Sequence, residues 1–142
     1  MKINNGREGE FLAASVIQGM NGWDVIHAGV QRIDLVAFCG ETVVRVQVKS
    51  TLHPRRISTQ YNGAICYDFL ITGKIGGVKA RRRLSRKDCD VIMLVALDKQ
   101  VCRAMSVDDL HGKIHWRLPP DQFTPEEQTR TLKEVFDGCR SN

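Results

Sequence analysis

The chain has no C-x-x-C pair, no internal repeat, no low-complexity tract and no apolar run near the roughly 18 residues that cross a bilayer. Each absence removes a class of protein. Five cysteines, Cys39, Cys66, Cys89, Cys102 and Cys139, are odd in number, and without a C-x-x-C pair they argue against both a disulfide framework and a zinc knuckle. Reduced, mostly buried thiols are expected. The stretch Met1-Lys2-Ile3-Asn4-Asn5-Gly6-Arg7-Glu8-Gly9-Glu10 lacks the apolar core of a signal peptide, so a cytoplasmic location and no membrane partner are expected. No linker divides the 142 residues, and one domain spanning 1–142 is expected. With 42% hydrophobic and 26% charged residues the chain has enough apolar material for a core, which excludes intrinsic disorder.

Periodicity supplies the elements. Gly6 through Met20 is rich in apolar residues at helical spacing and Asn21-Gly22 stops it. Trp23 to His27 and Ile33 to Cys39 read as short strands, with Gly40-Glu41 turning the chain into Thr42 to Ser50. In that last run Val44, Val46 and Val48 share one face, and Arg45, Gln47 and Lys49 share the other. Ala64 to Ile71 reads as a further strand. Val91 to Leu97 is apolar throughout, as a strand buried on both faces should be, and Asp98-Lys99-Gln100 turns into a strand over Val101 to Met105. Thr124-Pro125-Glu126-Glu127 opens a helix expected to run to Asp137, with Gly138 as its cap. The class expected is α/β, a mixed sheet flanked by helices.

Positive charge is concentrated in one place. Residues 73–87 hold Lys74, Lys79, Arg81, Arg82, Arg83, Arg86 and Lys87 and no acid, and these seven cations exceed the net charge of +5, so the remainder of the chain is net negative. Such a run is either a solvated loop or an arm that tracks a phosphate backbone by counterion release, with Gly73, Gly76 and Gly77 letting it adjust to a groove. Arg55 and Arg56 add a second basic cluster. Gln60, Tyr61 and Asn62, just beyond, carry donors and acceptors suited to base edges.

Four polar residues sit beside the core strands: Glu10 on the first helix, Asp34 at the start of the second strand, and Gln47 and Lys49 on the third. Phosphodiester hydrolysis needs a divalent ion held by hard oxygens and a cation near the attacking water. Asp34, Glu10 and the Gln47 oxygen suit magnesium, and Lys49 suits the cation. Taken singly, Asp34 could cap a turn, Gln47 could bond across strands and Lys49 could be an exposed strand lysine. Glu8 and Glu10 point about 200° apart on a helix, so only one faces such a site; the plain reading of Glu8 is a first-turn acid favoured by the helix dipole. His111 and His115 are four apart and could share a metal on a helix, but Gly112 between them favours surface histidines. His27 and His53 read as structural or loop residues within reach of a substrate, and Trp23 and Trp116 as core or interface.

The arrangement Ile33-Asp34-Leu35-Val36-Ala37, a hairpin, then Val46-Gln47-Val48-Lys49-Ser50, preceded by Gly9-Glu10 opening a helix, resembles the PD-(D/E)XK nuclease superfamily. Within it the likeness is nearest to the group I intron-encoded homing endonucleases in which glutamine replaces the second acid. The resemblance covers about the first fifty residues at motif level and continues loosely from Val91 to Met105. It implies a restriction-endonuclease-like fold, Asp34 as principal metal ligand, Gln47 as substituted ligand, Lys49 as catalytic lysine and Glu10 as helix-borne acid. The function expected is magnesium-dependent cleavage of double-stranded DNA, with manganese able to substitute, by a homo-dimer or homo-tetramer. The alternatives are a Holliday-junction resolvase-like nuclease and a non-catalytic nucleic-acid-binding protein.

Overall fold

Alternating apolar residues place a sheet at the centre of the molecule. A computed structural model describes residues 5–30, 33–57, 63–75 and 78–140, and the side chains of all of these except 5 and 73–82. The chain runs α1 (Asn5–Gln18), β1 (Asp24–Val30), β2 (Ile33–Cys39), β3 (Thr42–Thr51), β4 (Arg55–Arg56), β5 (Ile65–Leu70), β6 (Thr72–Ile75), β7 (Val78–Arg83), β8 (Val91–Ala96), β9 (Val101–Ser106), β10 (His115–Leu118) and α2 (Pro125–Arg140). Short 3-10 turns occupy Val107–Leu110 and Pro120–Gln122.

The main sheet has the order β1-β2-β3-β8-β9. Its neighbours are antiparallel except for β3 and β8, which run parallel. It is therefore mixed, and the parallel pair requires a long crossover. That crossover is not wasted length: residues 52–90 build a small sheet of order β10-β5-β4, completed by the later β10, and the two-stranded ribbon β6–β7.

All six residues of β8 are buried, because both faces are covered. Val91, Met93 and Val95 pack with Leu35, Ala37, Val44 and Val46 against Ala13 and Ile17 of α1 and Leu132 and Phe136 of α2. Ile92, Leu94 and Ala96 face the other way, onto Tyr67, Phe69 and Ile71 from the small sheet and Phe123. Both helices thus lie on one face of the main sheet and the small sheet covers part of the other. Trp23 belongs to the helix-side core, edge-on to Phe136 at 5.0 Å.

The far edge of the sheet is closed by a helix in place of another strand. Along β9, the Cys102 amide donates to Oε1 of Gln128 at 2.8 Å and the Ala104 amide to Oγ1 of Thr131 at 3.1 Å. The two acceptors are three apart and so share a face of α2. Thr124 caps that helix, its Oγ1 accepting from the Glu127 amide at 3.1 Å.

Three expectations need correction. Gly138 does not end α2; the helix continues to Arg140, since Cys139 packs against the helix-side core and holds the last turn in place. Only Cys89 and Cys102 are buried, the other three thiols being half-buried in the outer layer. Residues 73–87 are not a plain loop, because most of them form the ribbon, with Thr72 opposite Arg83, Gly73 opposite Arg82 and Lys74 opposite Arg81. No helix among the described residues is long and apolar enough to cross a membrane.

Candidate active site

The site is built where α1 touches β3. Gly9 makes this approach possible: a Cβ there would lie 1.7 Å from Oγ of Ser50 and 3.0 Å from its Cβ. With no side chain at Gly9 the helix presses onto the strand, and the next residue, Glu10, arrives beside the start of β2. Glu8 is exposed on another side of the helix.

β2 and β3 pair with Leu35 opposite Val46 and Val36 opposite Arg45. One further step of the same register sets Asp34 opposite Gln47, on the same face of the sheet. Lys49 follows two residues on and shares that face. Arg45, two residues the other way, is committed elsewhere: it holds Asp90 at 3.0 Å and donates to the Arg86 carbonyl at 2.7 Å, which fastens the loop before β8.

Asp34 is held by its own strand pair, with Oδ2 accepting from the Val48 amide at 2.7 Å. The Glu10 carboxyl is pushed up to about 7, first by burial, then by the negative charge of Asp34 and a hydrogen bond between the two side chains, with Arg7 opposing. Gln47 is buried and its Oε1 has no hydrogen-bond partner, which is costly for an amide oxygen out of water. Lys49 Nζ donates to the Thr72 carbonyl at 3.1 Å, which fixes the ammonium at the root of the ribbon. Cys89, whose thiol is pushed up to about 11 chiefly by burial, also feels Asp34 raising it and Lys49 lowering it, so both charges act on one neighbourhood.

Two touching carboxyl groups and a partnerless amide oxygen are a donor set that suits a hard divalent cation. Among the described residues no group of three His, Cys, Asp or Glu gathers to hold a metal. Beyond the two carboxyl groups, such an ion would be completed by the Gln47 oxygen, a backbone carbonyl or water. A cleft of about 450 Å³ opens on Glu10 and Asp34 and is also lined by Arg7, Phe11, His27 and Val30. Phe11, 56% exposed, lies against the His27 ring at 5.1 Å. Sequence reading passed over Arg7 and Phe11; their places three before and one after Glu10 on α1 were the available signal.

The expected nucleic-acid contacts divide. Arg83 and Lys87 are exposed. Arg55 pairs with Asp68, and Arg86 pairs with Asp108 and, at 3.6 Å, with Asp90, so both serve internal ion pairs. Arg56 donates to the Gly63 carbonyl at 2.8 Å. Lys74, Lys79, Arg81 and Arg82 lie on the ribbon, but their side chains fall outside the described residues, as do Gln60, Tyr61 and Asn62 entirely. His111 and His115 do not share a helix: His111 has a left-handed backbone with φ of 47° after a 3-10 turn, and His115 begins β10. Trp116 is half-buried with Lys113 Nζ 5.6 Å above its ring.

No family model matches the chain, and no curated protein matches it. Among solved structures, the bacterial homing endonuclease I-Ssp6803I is similar, with a TM-score of 0.66 over 96% of this chain and 94% of that one, at 17% sequence identity. The mixed sheet with its flanking helices is thus a fold that this chain shares with a homing endonuclease.

Proposed function

We propose that the chain is a magnesium-dependent endonuclease of the PD-(D/E)XK type that hydrolyses phosphodiester bonds in double-stranded DNA at a specific site, as homing endonucleases do. The observation that carries this reading is the meeting of Glu10 and Asp34 in the wall of a cleft, with Gln47, whose buried oxygen lacks a partner, and Lys49 on the same sheet face as Asp34. The fold shared with I-Ssp6803I supports it.

Magnesium, for which manganese would substitute, supplies positive charge that acidifies a water and offsets charge building on the phosphoryl oxygens. The chain does the positioning. Asp34, with one oxygen tied to the Val48 amide, presents its other oxygen in a fixed direction. Glu10 releases its proton when positive charge arrives. Lys49, steadied by the Thr72 carbonyl, orients the attacking water and stabilises the hydroxide character it acquires during in-line attack. Cutting both strands takes two sites, so two chains act on one duplex in a homo-dimer or homo-tetramer, and a two-fold symmetric target follows.

The test is incubation with duplex DNA and magnesium. The unaltered protein should cleave, and Asp34→Ala and Lys49→Ala should each cut about 100-fold more slowly or worse while still binding. Intact DNA in every lane, with binding retained, would overturn catalysis and leave a binding module, a reading that the lack of a third acid favours. Cleavage of four-way junctions without sequence preference would replace the homing role with junction resolution.

A further inference from the structure

A second cleft lies at the root of the ribbon, between the end of β7 and the turn that leads into β10. It has a volume of about 620 Å³ and is lined by Arg83, His111, Lys113, His115, Trp116 and Arg117 among others, with no carboxylate in its wall. Arg83 and Lys113 are exposed, and no ion pair engages either among the described residues. Arg117 and His115 are held from beneath by the nearly buried Asp68, at 3.3 and 3.4 Å.

Hydrogen bonds hold the cleft's loop in place, and a strand pairing links it to Lys49. Its loop is docked by the Ile71 amide donating to the Ile114 carbonyl at 2.7 Å and closed by the Lys113 amide donating to the Leu110 carbonyl at 2.9 Å. Gly112, at φ of 77°, gives the Arg83 guanidinium a floor without a side chain; a Cβ there would meet Arg83 Nη1 at 3.5 Å. Arg83 is the strand partner of Thr72, and Thr72 is the residue whose carbonyl anchors the Lys49 ammonium. From Lys49 to Lys113 the path is therefore one strand spacing and one loop.

We propose that this cleft binds the phosphodiester backbone of the duplex on the flank of the cleaved bond, with Arg83 and Lys113 as direct phosphate contacts. The inference rests on the endonuclease reading above and extends the DNA interface from Arg83 at the end of the ribbon to Lys113 and the turn before β10, which the charge run does not include. A wall of cations without an acid suits a polyanion, and its continuity with the ribbon suits an extended one over a free nucleotide. The Lys113 ammonium rests over the Trp116 ring at 5.6 Å, which gives it a preferred place in the cleft.

The experiment measures binding to a long and a short duplex of arbitrary sequence across a salt series without divalent metal. Arg83→Ala/Lys113→Ala should weaken binding to the long duplex and reduce the slope of log affinity against log salt by about 1.8, roughly 0.9 for each phosphate that is no longer neutralised. On a duplex too short to reach the cleft, variant and unaltered protein should bind alike. Lys133→Ala, which removes an exposed cation from α2, is the control for net charge and should leave the slope in place. Both altered side chains are exposed, so the thermal midpoint should hold and show that the variant folds. If the unaltered protein binds neither duplex, the endonuclease reading falls and takes the cleft with it. If it binds and the double variant keeps its slope, or Lys133→Ala loses as much, the cleft alone is overturned.

Discussion

Glu10 shows how one residue's environment sets its chemistry. The unfolded chain's glutamate titrates near 4.5 and the folded one near 7, so the folded state holds the proton more tightly. The stability tied to this group is then complete below about 4.5 and disappears as pH rises through 7. The metal-free protein is expected to melt at progressively lower temperature between about pH 5 and pH 8, and Glu10→Gln should flatten that dependence. Magnesium should restore more stability at the alkaline end, where it no longer competes with a proton. A calorimetric series in which Glu10→Gln keeps the full pH slope would place the perturbed carboxyl elsewhere. The residue types of this site were legible from spacing: the two-residue step joins Gln47 to Lys49, and the hairpin brings Asp34 opposite. The Gly9 contact with Ser50 and the Thr72 anchor for Lys49 were not legible, since each joins segments far apart in the chain whose approach depends on the finished packing.

At the scale of elements, the joint between α2 and β9 is the most exacting. Thr131 is buried and its Oγ1 is the partner of a buried strand amide, so Thr131→Val keeps the shape but orphans the Ala104 N–H. A loss of about 1–3 kcal/mol is expected in denaturant unfolding. Arg130→Ala, which removes two exposed ion pairs from the outer side of the same helix, should cost less than about 1 kcal/mol. Equal losses would mean that the hydrogen bond is not what closes the edge. Elements with a clear period were readable in advance: Ile33–Cys39 matches β2 end for end, and the unbroken apolar run from Val91 is the strand buried on both faces. The ribbon was not, because Lys-Ala-Arg-Arg-Arg has no apolar alternation to announce a strand. β4 and β10 escaped for a related reason. They are two and four residues long and exist only because β5 offers them an edge.

For the whole molecule, the charge imbalance is also a shape. The cations of residues 73–87 outnumber the net charge of the chain, and five of the seven lie on the strand pair β6–β7. If that ribbon grips DNA, Arg81→Ala/Arg82→Ala/Arg83→Ala should weaken binding and lower the salt slope by about 2.7 at full engagement. An unchanged slope in an anisotropy titration would take the ribbon out of the interface.

The parallel pairing of β3 with β8 has a consequence for descent. The two strands stay in register from Val46 opposite Val91 to Thr51 opposite Ala96, and closing a longer connection between them costs only about 0.6 kcal/mol per doubling. Exposed positions within residues 52–90 can therefore change in sequence and length, as long as Tyr67, Phe69 and Ile71 still cover the second face of β8 and the Thr72 carbonyl keeps its place beside Lys49. On the endonuclease reading proposed above, such changes would alter what the molecule grips and leave the residues around Asp34 where they are.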